Sequence, residues 1–179
     1  MRVAVVNLTG GGLSGGYRKY LQKLLPLWQN NPRVNHLDVF IPPQAADHLG
    51  GIGVTSLTIW PPADSRRGYP WLRTRLRQQV PDVVFIPTAR WLNCGQIPTV
   101  VMVRNMEPLT VPFGGNSLLE GLKNLVRASA AWGACKRADH IIAVSCYVQD
   151  FLVERWHVDA RKVGVVYHGV DLPLHRAEA

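Results

Sequence analysis

Val3-Ala4-Val5-Val6-Asn7-Leu8-Thr9-Gly10-Gly11-Gly12-Leu13-Ser14-Gly15-Gly16 places a short apolar run before a polar turn crowded with glycine. Tyr17, Tyr20, Leu21, Leu24, Leu25 and Trp28 then recur at helical spacing. The order reads strand, glycine turn, helix. Glycine has no Cβ, so its backbone can come close to a bound group. Free N–H groups and the macrodipole at a helix start favour an anion. Gly10, Gly11, Gly12, Gly15 and Gly16 therefore suggest a loop facing a phosphate or a sugar. The spacing departs from the G-x-G-x-x-G dinucleotide fingerprint and lacks the G-K-[ST] of a P-loop. A plain strand-to-helix connection reads the same way.

Further along, apolar strands and helical patterns alternate. Leu37–Ile41, Val54–Trp60, Asp82–Ile86, Thr99–Val103, His140–Val144 and Lys162–Tyr167 read as strands. Asp82-Val-Val-Phe-Ile86 and Thr99-Val-Val-Met-Val103 are nearly continuous apolar runs, as in central parallel strands covered on two faces. Pro42-Pro43 and Pro61-Pro62 stop the second and third strands, and Asn30-Asn31-Pro32 marks a turn. Pro26 is expected to end or kink the first helix. Ser117-Leu-Leu-Glu120 matches a capping box and opens a helix ending near Arg137, with Leu118, Leu122, Leu125, Val126 and Ser129 on its core-facing side. Its small residues Ala128, Ala130, Ala131, Gly133 and Ala134 permit close packing against the sheet. Ser145 can cap a following helix that buries Val148, Phe151, Leu152 and Trp156. The alternation predicts a single-domain α/β fold: a doubly wound, mostly parallel, Rossmann-like sheet in three α/β/α layers.

Composition fits that fold. The 179 residues are 47% hydrophobic, enough for one core, and the formal net charge is +8. Arginine carries most of the excess, which favours phosphates, anionic lipids or nucleic acid. It is densest from Ser65 to Val80, where Arg66, Arg67, Arg73, Arg75 and Arg77 stand beside Tyr69 and Trp71. Leu72, Leu76 and Val80 mark that helix's buried face. The arginines read either as peripheral contact with anionic lipid or as an ordinary solvated face. Cys94, Cys135 and Cys146 form no C-x-x-C, which fits a reducing compartment. No run is long enough to span a bilayer. A cytoplasmic protein is expected, with contact to the inner membrane face admitted.

Ala138-Asp139-His140-Ile141-Ile142-Ala143-Val144-Ser145, followed by Lys162-Val163-Gly164-Val165-Val166-Tyr167-His168-Gly169-Val170-Asp171, resembles the amino-terminal half of GT-B fold glycosyltransferases of family 4, the retaining group-1 type. The family pattern is A-D-x-I-I-x-V-S, a helix, then K-V-x-V-I-x-N-G-V-D. The Gly-Gly loop after the first strand matches too. The resemblance implies an acceptor-side domain over residues 1–171, with 172–179 starting a linker or tail. The complete enzyme would move a sugar from a nucleotide-sugar donor to a sugar or lipid-linked acceptor, for which the arginines suggest an anion. Gly11, Gly12, Gly15 and Gly16 would face the cleft between domains. The family's His-Asp after the fifth strand is Arg104-Asn105 here. Arginine cannot serve as a general base near neutral pH, so Arg104 would bind an anion and Asn105 a sugar hydroxyl, with Glu107 a further polar candidate.

Ser145 matches the family's serine, although helix capping explains it equally. His168 replaces the usual asparagine, and Gly169 would begin the interdomain hinge. Glu107, Glu120, Glu154 and Glu178 lack the family's glutamate pair with seven residues between, so this half alone should not turn over. No resident cofactor is implied. His36, His48, His140, His157, His168 and His175 show no metal-ligand motif. Two other classes remain open: a stand-alone nucleotide-binding module, weakened by Ile41-Pro42 where an acidic ribose ligand would stand, and a basic membrane or nucleic-acid adaptor. Nucleic acid is not expected under the family reading.

Overall fold

The computed structural model describes residues 1–9, 15–49, 53–61, 68–110 and 117–169. Seven parallel strands form one sheet: β1 (Arg2–Val6), β2 (His36–Ile41), β3 (Ser56–Ile59), β4 (Val83–Ile86), β5 (Thr99–Val103), β6 (His140–Ala143) and β7 (Val163–Val165). Their order across the sheet is β3-β2-β1-β4-β5-β6-β7. Helices connect them: α1 (Gly15–Gln29), α2 (Pro43–Leu49), α3 (Gly68–Gln79), α4 (Glu107–Thr110), α5 (Leu118–Arg137) and α6 (Cys146–Asp150), the last continued by a π turn, Phe151–Arg155. This is the Rossmann-like α/β architecture expected from the alternation.

The topology follows from crossover handedness. The chain steps one way from β1 through β2 to β3, then returns to lay β4 on the other side of β1. Right-handed crossovers put the two directions' helices on opposite faces. Accordingly Tyr17, Leu21 and Leu25 of α1 and Ala45 and Leu49 of α2 join one core cluster with Val3, Val5, Val39 and Phe85. Leu72 and Leu76 of α3, Cys135 of α5 and Val148 of α6 join the other, with Ala4, Val6, Val84, Ile86 and Val101. Adjacent residues of one strand thus feed opposite layers, which is why β1, β4 and β5 carry almost unbroken apolar runs. Residues of edge strand β3 are half or fully exposed throughout.

One buried carboxylate ties β2 to β3 and α3. Asp38, 3% exposed, accepts from Ser56 Oγ of β3 at 2.7 Å and from Gln79 Nε2 of α3 at 3.3 Å. At the amino edge, Asp82 accepts the Arg2 N–H at 2.7 Å, and Asp139 accepts the Thr99 N–H at 2.8 Å.

Several local expectations change. Pro26 lies inside α1, which runs three residues further. Pro43 opens α2, which the sequence reading did not foresee; proline suits a first helical turn because that N–H has no helical partner. Val80 is not on the buried face of α3: it is 63% exposed, past the helix end, at φ 46°. The largest correction concerns α5. Leu118, Leu122, Leu125, Val126 and Ser129 are exposed, and Gly121, Asn124, Ala131, Gly133, Ala134 and Cys135 are buried. Ser117 caps the helix as expected, accepting from the Glu120 N–H at 3.4 Å. The Glu120 carboxylate, however, binds Lys123 and Arg127.

Candidate functional site at the carboxyl tips of the strands

Parallel strands bring all their carboxyl ends to one edge, and the reversal in order between β1 and β4 opens a crevice there. Asn7 leaves β1 at that point. Its N–H donates to the Phe40 carbonyl at 2.9 Å, and its own carbonyl accepts from Trp60 Nε1 at 3.2 Å. Asn7 Oδ1 accepts from the Thr9 N–H (3.0 Å), Thr9 Oγ1 (2.8 Å) and Tyr17 Oη (3.3 Å). Those donors fix which end of the amide is which. Among the described residues Asn7 Nδ2 is left buried with no partner. Thr88 Oγ1, just past the end of neighbouring β4, is likewise buried and unpartnered.

Arg104 leaves β5 and lies across the face of Tyr17, its guanidinium carbon 3.7 Å from the ring centroid. It is half-buried, and no ion pair to a carboxylate is seen for it among the described residues. Partial burial lowers its pKa, opposed by Tyr17 and Tyr20. Burial likewise raises the Tyr20 phenol to about 12 and pushes Tyr17 higher still. Both therefore stay neutral, and among the described residues no group compensates the cation. His168, after β7, stacks on Tyr20 with centroids 4.9 Å apart. Its pKa is lowered first by partial burial and then by Arg104. Arg90, after β4, spans to the Leu8 carbonyl at 2.9 Å. An open cleft of about 590 Å³ between α4, α6 and the π turn flanks the same edge, lined by residues including Tyr147, Asp150, Glu154 and Trp156.

The structure thus unites Arg104 and His168 through the tyrosines of α1. Asn105 is exposed beside Arg104. Ser145 is engaged as the α6 cap, accepting from the Val148 N–H at 3.3 Å. Gly15 and Gly16 lie in the first turn of α1, and a Cβ on either would meet nothing within 4 Å. Gly11, Gly12 and the side chain of Glu107 lie outside the described residues, as do Arg66, Arg67 and the segment beyond Gly169. Asn7, Tyr17, Tyr20, Thr88 and Arg90 were missed by the sequence reading. Asking at β1 and β4 what it asked at β5, namely which polar residue follows the apolar run, would have found Asn7, Thr88 and Arg90. Among the described residues no group of His, Cys, Asp or Glu is arranged to hold a metal ion.

A switch-point crevice with convergent polar groups and an uncompensated cation is the ligand-binding arrangement of an open α/β sheet. The model for Glycosyltransferase Family 4 matches residues 19–173, and the chain belongs to that family. Among solved structures, it is similar to the apo form of the lipopolysaccharide outer core galactosyltransferase WaaB. The TM-score is 0.61 at 12% identity, over 97% of this chain and 47% of that one. It is also similar to UDP-N-acetylglucosamine 2-epimerase from Rickettsia bellii, with a TM-score of 0.56 at 11% identity, over 92% of this chain and 44% of that one. At such identities the likeness is one of fold. The chain spans less than half the length of either structure. A search of curated proteins gives no significant match.

Proposed function

We propose that this chain is the acceptor-binding half of a retaining glycosyltransferase, and that Arg104 receives an oxyanion of the substrate, a phosphate or carboxylate. The complete enzyme would move a sugar from a nucleotide-sugar to an acceptor hydroxyl. The donor is held mainly by a second domain, so residues 1–171 alone do not turn over. Hinge movement falls at His168 and Gly169. Family membership supports sugar transfer. The observation that carries the oxyanion is the half-buried Arg104 guanidinium, stacked on a neutral tyrosine with no carboxylate against it among the described residues.

The roles follow from donor chemistry. A guanidinium is planar and always charged, and it matches a phosphate or carboxylate in a two-point fork. Tyr17 holds that plane still. Asn7 Nδ2, a fixed donor with nothing to donate to, suits a ligand oxygen. In this reading Asn105 and Glu107 would meet sugar hydroxyls, and Gly11, Gly12, Gly15 and Gly16 would face the donor's diphosphate or the acceptor. Ser145 adds a hydroxyl that already accepts a backbone bond. A stand-alone dinucleotide module fits less well, since the acidic residue of β2, Asp38, is buried inside the strand and bound to Ser56.

Titration of the 179-residue chain with inorganic phosphate, glucuronate and glucose tests the oxyanion role, with ring and guanidinium NMR signals as readout. Phosphate or glucuronate is expected to shift His168 and Arg104, and the stronger of the two names the group. Glucose alone shifting them, or no loss on Arg104→Ala, overturns the role. Joined to a donor-binding domain, the chain is expected to give a product with the donor's anomeric configuration. Inverted product, or micromolar binding of dinucleotides by the chain alone, overturns the wider reading.

A further inference from the structure

We propose that the stack of His168 on Tyr20 is a clasp between α1 and the chain leaving β7, and that an oxyanion at Arg104 tightens it. The inference rests on the oxyanion role of Arg104 proposed above. It adds a consequence of occupancy: a filled site fixes how the chain leaves the sheet.

Beyond the register pair of Ala143 and Val165, the Val166 N–H donates to the Ala143 carbonyl at 2.9 Å. Past that bond, two side chains hold the exit. Tyr167 Oη lies 3.0 Å from Cys146 Sγ of α6. The His168 ring lies 4.9 Å from the Tyr20 ring of α1, 14° from parallel. Successive side chains of an extended chain point to opposite faces. The exit is therefore bracketed by one helix from each layer, since α6 packs into one core cluster and α1 into the other.

The α1 bracket is the one that reaches the site. Tyr20 follows Tyr17 by three residues, so the two rings share a face of the helix. Tyr17 carries the Arg104 guanidinium at 3.7 Å, and the charge of Arg104 acts on both Tyr20 and His168. Among the described residues it is the one charged group felt at His168, because Tyr17 and Tyr20 stay neutral. With the site empty, that like charge helps keep the imidazole unprotonated. An anion on Arg104 opposes it, and His168 takes up a proton from solvent. An imidazolium is held on a tyrosine face by cation–π attraction that the neutral ring lacks. Linkage makes the effect mutual: the anion raises the proton affinity of His168, and the proton raises the affinity for the anion.

Sulfate tests this on the 179-residue chain, because its own charge is constant between about pH 5 and 8, where imidazoles titrate. The Arg104 guanidinium NMR signal reports occupancy, and hydrogen exchange of the Val166 amide reports the clasp. Saturating sulfate is expected to slow Val166 exchange by about fivefold or more at the acid end of that window, and far less at its alkaline end. Sulfate affinity should rise by a similar factor as pH falls across it. Tyr20→Leu should keep the Arg104 response and lose the slowing at Val166. His168→Asn should lose both the slowing and the pH dependence of affinity. Circular dichroism checks the fold of each variant. An Arg104 signal unmoved by sulfate overturns the oxyanion role and the clasp with it. An Arg104 signal that moves while Val166 exchange stays constant overturns the clasp alone. So does slowing that survives Tyr20→Leu, which would put the anion directly on His168.

Discussion

Arg104 shows how one residue organises the chemistry of this edge. Its charge reaches His168, whose pKa already lies below the ordinary imidazole value through partial burial. Removing the guanidinium removes a like charge, so Arg104→Ala should raise the His168 pKa, read from its ring proton shifts against pH. Bound phosphate should raise it too, by opposing the same charge. An unmoved His168 in both cases would separate the two residues electrostatically. The linkage sign follows. The folded state binds fewer protons at His168 than the unfolded chain, so its contribution to stability is full above the ordinary imidazole range. That contribution declines as pH falls through the range toward the lower folded value. Asn7 offers a second residue-level test. Asn7→Asp replaces the unpartnered Nδ2 donor by an acceptor, and should weaken oxyanion binding measured by the same titration. Unchanged affinity would remove Asn7 from the site. In the sequence, Arg104 was visible because it follows an unbroken apolar strand. Asn7 was masked by the glycines after it, which drew the reading to the loop. Tyr17 looked like one more apolar helix position, and nothing local distinguishes a core tyrosine from one that a cation will cover.

Among the elements, α5 separates what pattern can and cannot tell. Its span and cap were legible, since Ser117 and the last-turn Lys136 and Arg137 are end signals independent of the neighbours. Its orientation was legible only in the second half, where the small residues Ala131 and Ala134 were expected to pack closely and are buried. Periodicity finds the most apolar stripe, and the rule that this stripe faces the core fails when the core side is chosen by size. Ala131 and Ala134 let the helix approach closely, which leucine cannot do. Gly133 is covered instead by its own helix. A Cβ there would meet Arg137 Nη1 at 2.7 Å and no other atom closer than Arg137 Cζ at 3.9 Å. The guanidinium is the free end of a flexible chain and can swing away, at the cost of its bond to the Gly133 carbonyl. Gly133→Ala should therefore be near neutral, the usual helix gain of about 0.5–1 kcal/mol offsetting that lost bond. Urea denaturation checks it; a loss beyond about 2 kcal/mol would show close packing against something other than Arg137. Ser117→Ala should cost about 1 kcal/mol by the same measurement.

The whole molecule is ordered from the centre of its sheet outward. β1, at the switch point, pairs with β2 and β4 and feeds both cores. The crevice opens where this strand ends, so the site stands on the best-buried part of the fold. The sheet was legible because buried strands announce themselves as apolar runs with punctuation between them. The packing of one layer on the next was not, because the Asp38 contacts to Ser56 and Gln79 join residues 18 and 41 positions apart. If stability is centred at the switch point, protection should follow strand order rather than chain order. Amide exchange should be slowest in β1, β4 and β5 and fastest in β3 and β7, though β3 precedes β4 in sequence. Two isoleucines give the energetic counterpart. Ile86 of β4 is fully buried, whereas Ile59 of β3 is 54% exposed. Ile86→Ala should cost about 2–5 kcal/mol through lost burial and the cavity left behind, and Ile59→Ala under about 1 kcal/mol. Ile86→Ala should also broaden the Arg104 and His168 signals, because the crevice rests on the strand it loosens. Equal costs at the two positions would mean that the edge strands hold the fold as firmly as the centre, and that the site owes nothing to where the strand order reverses.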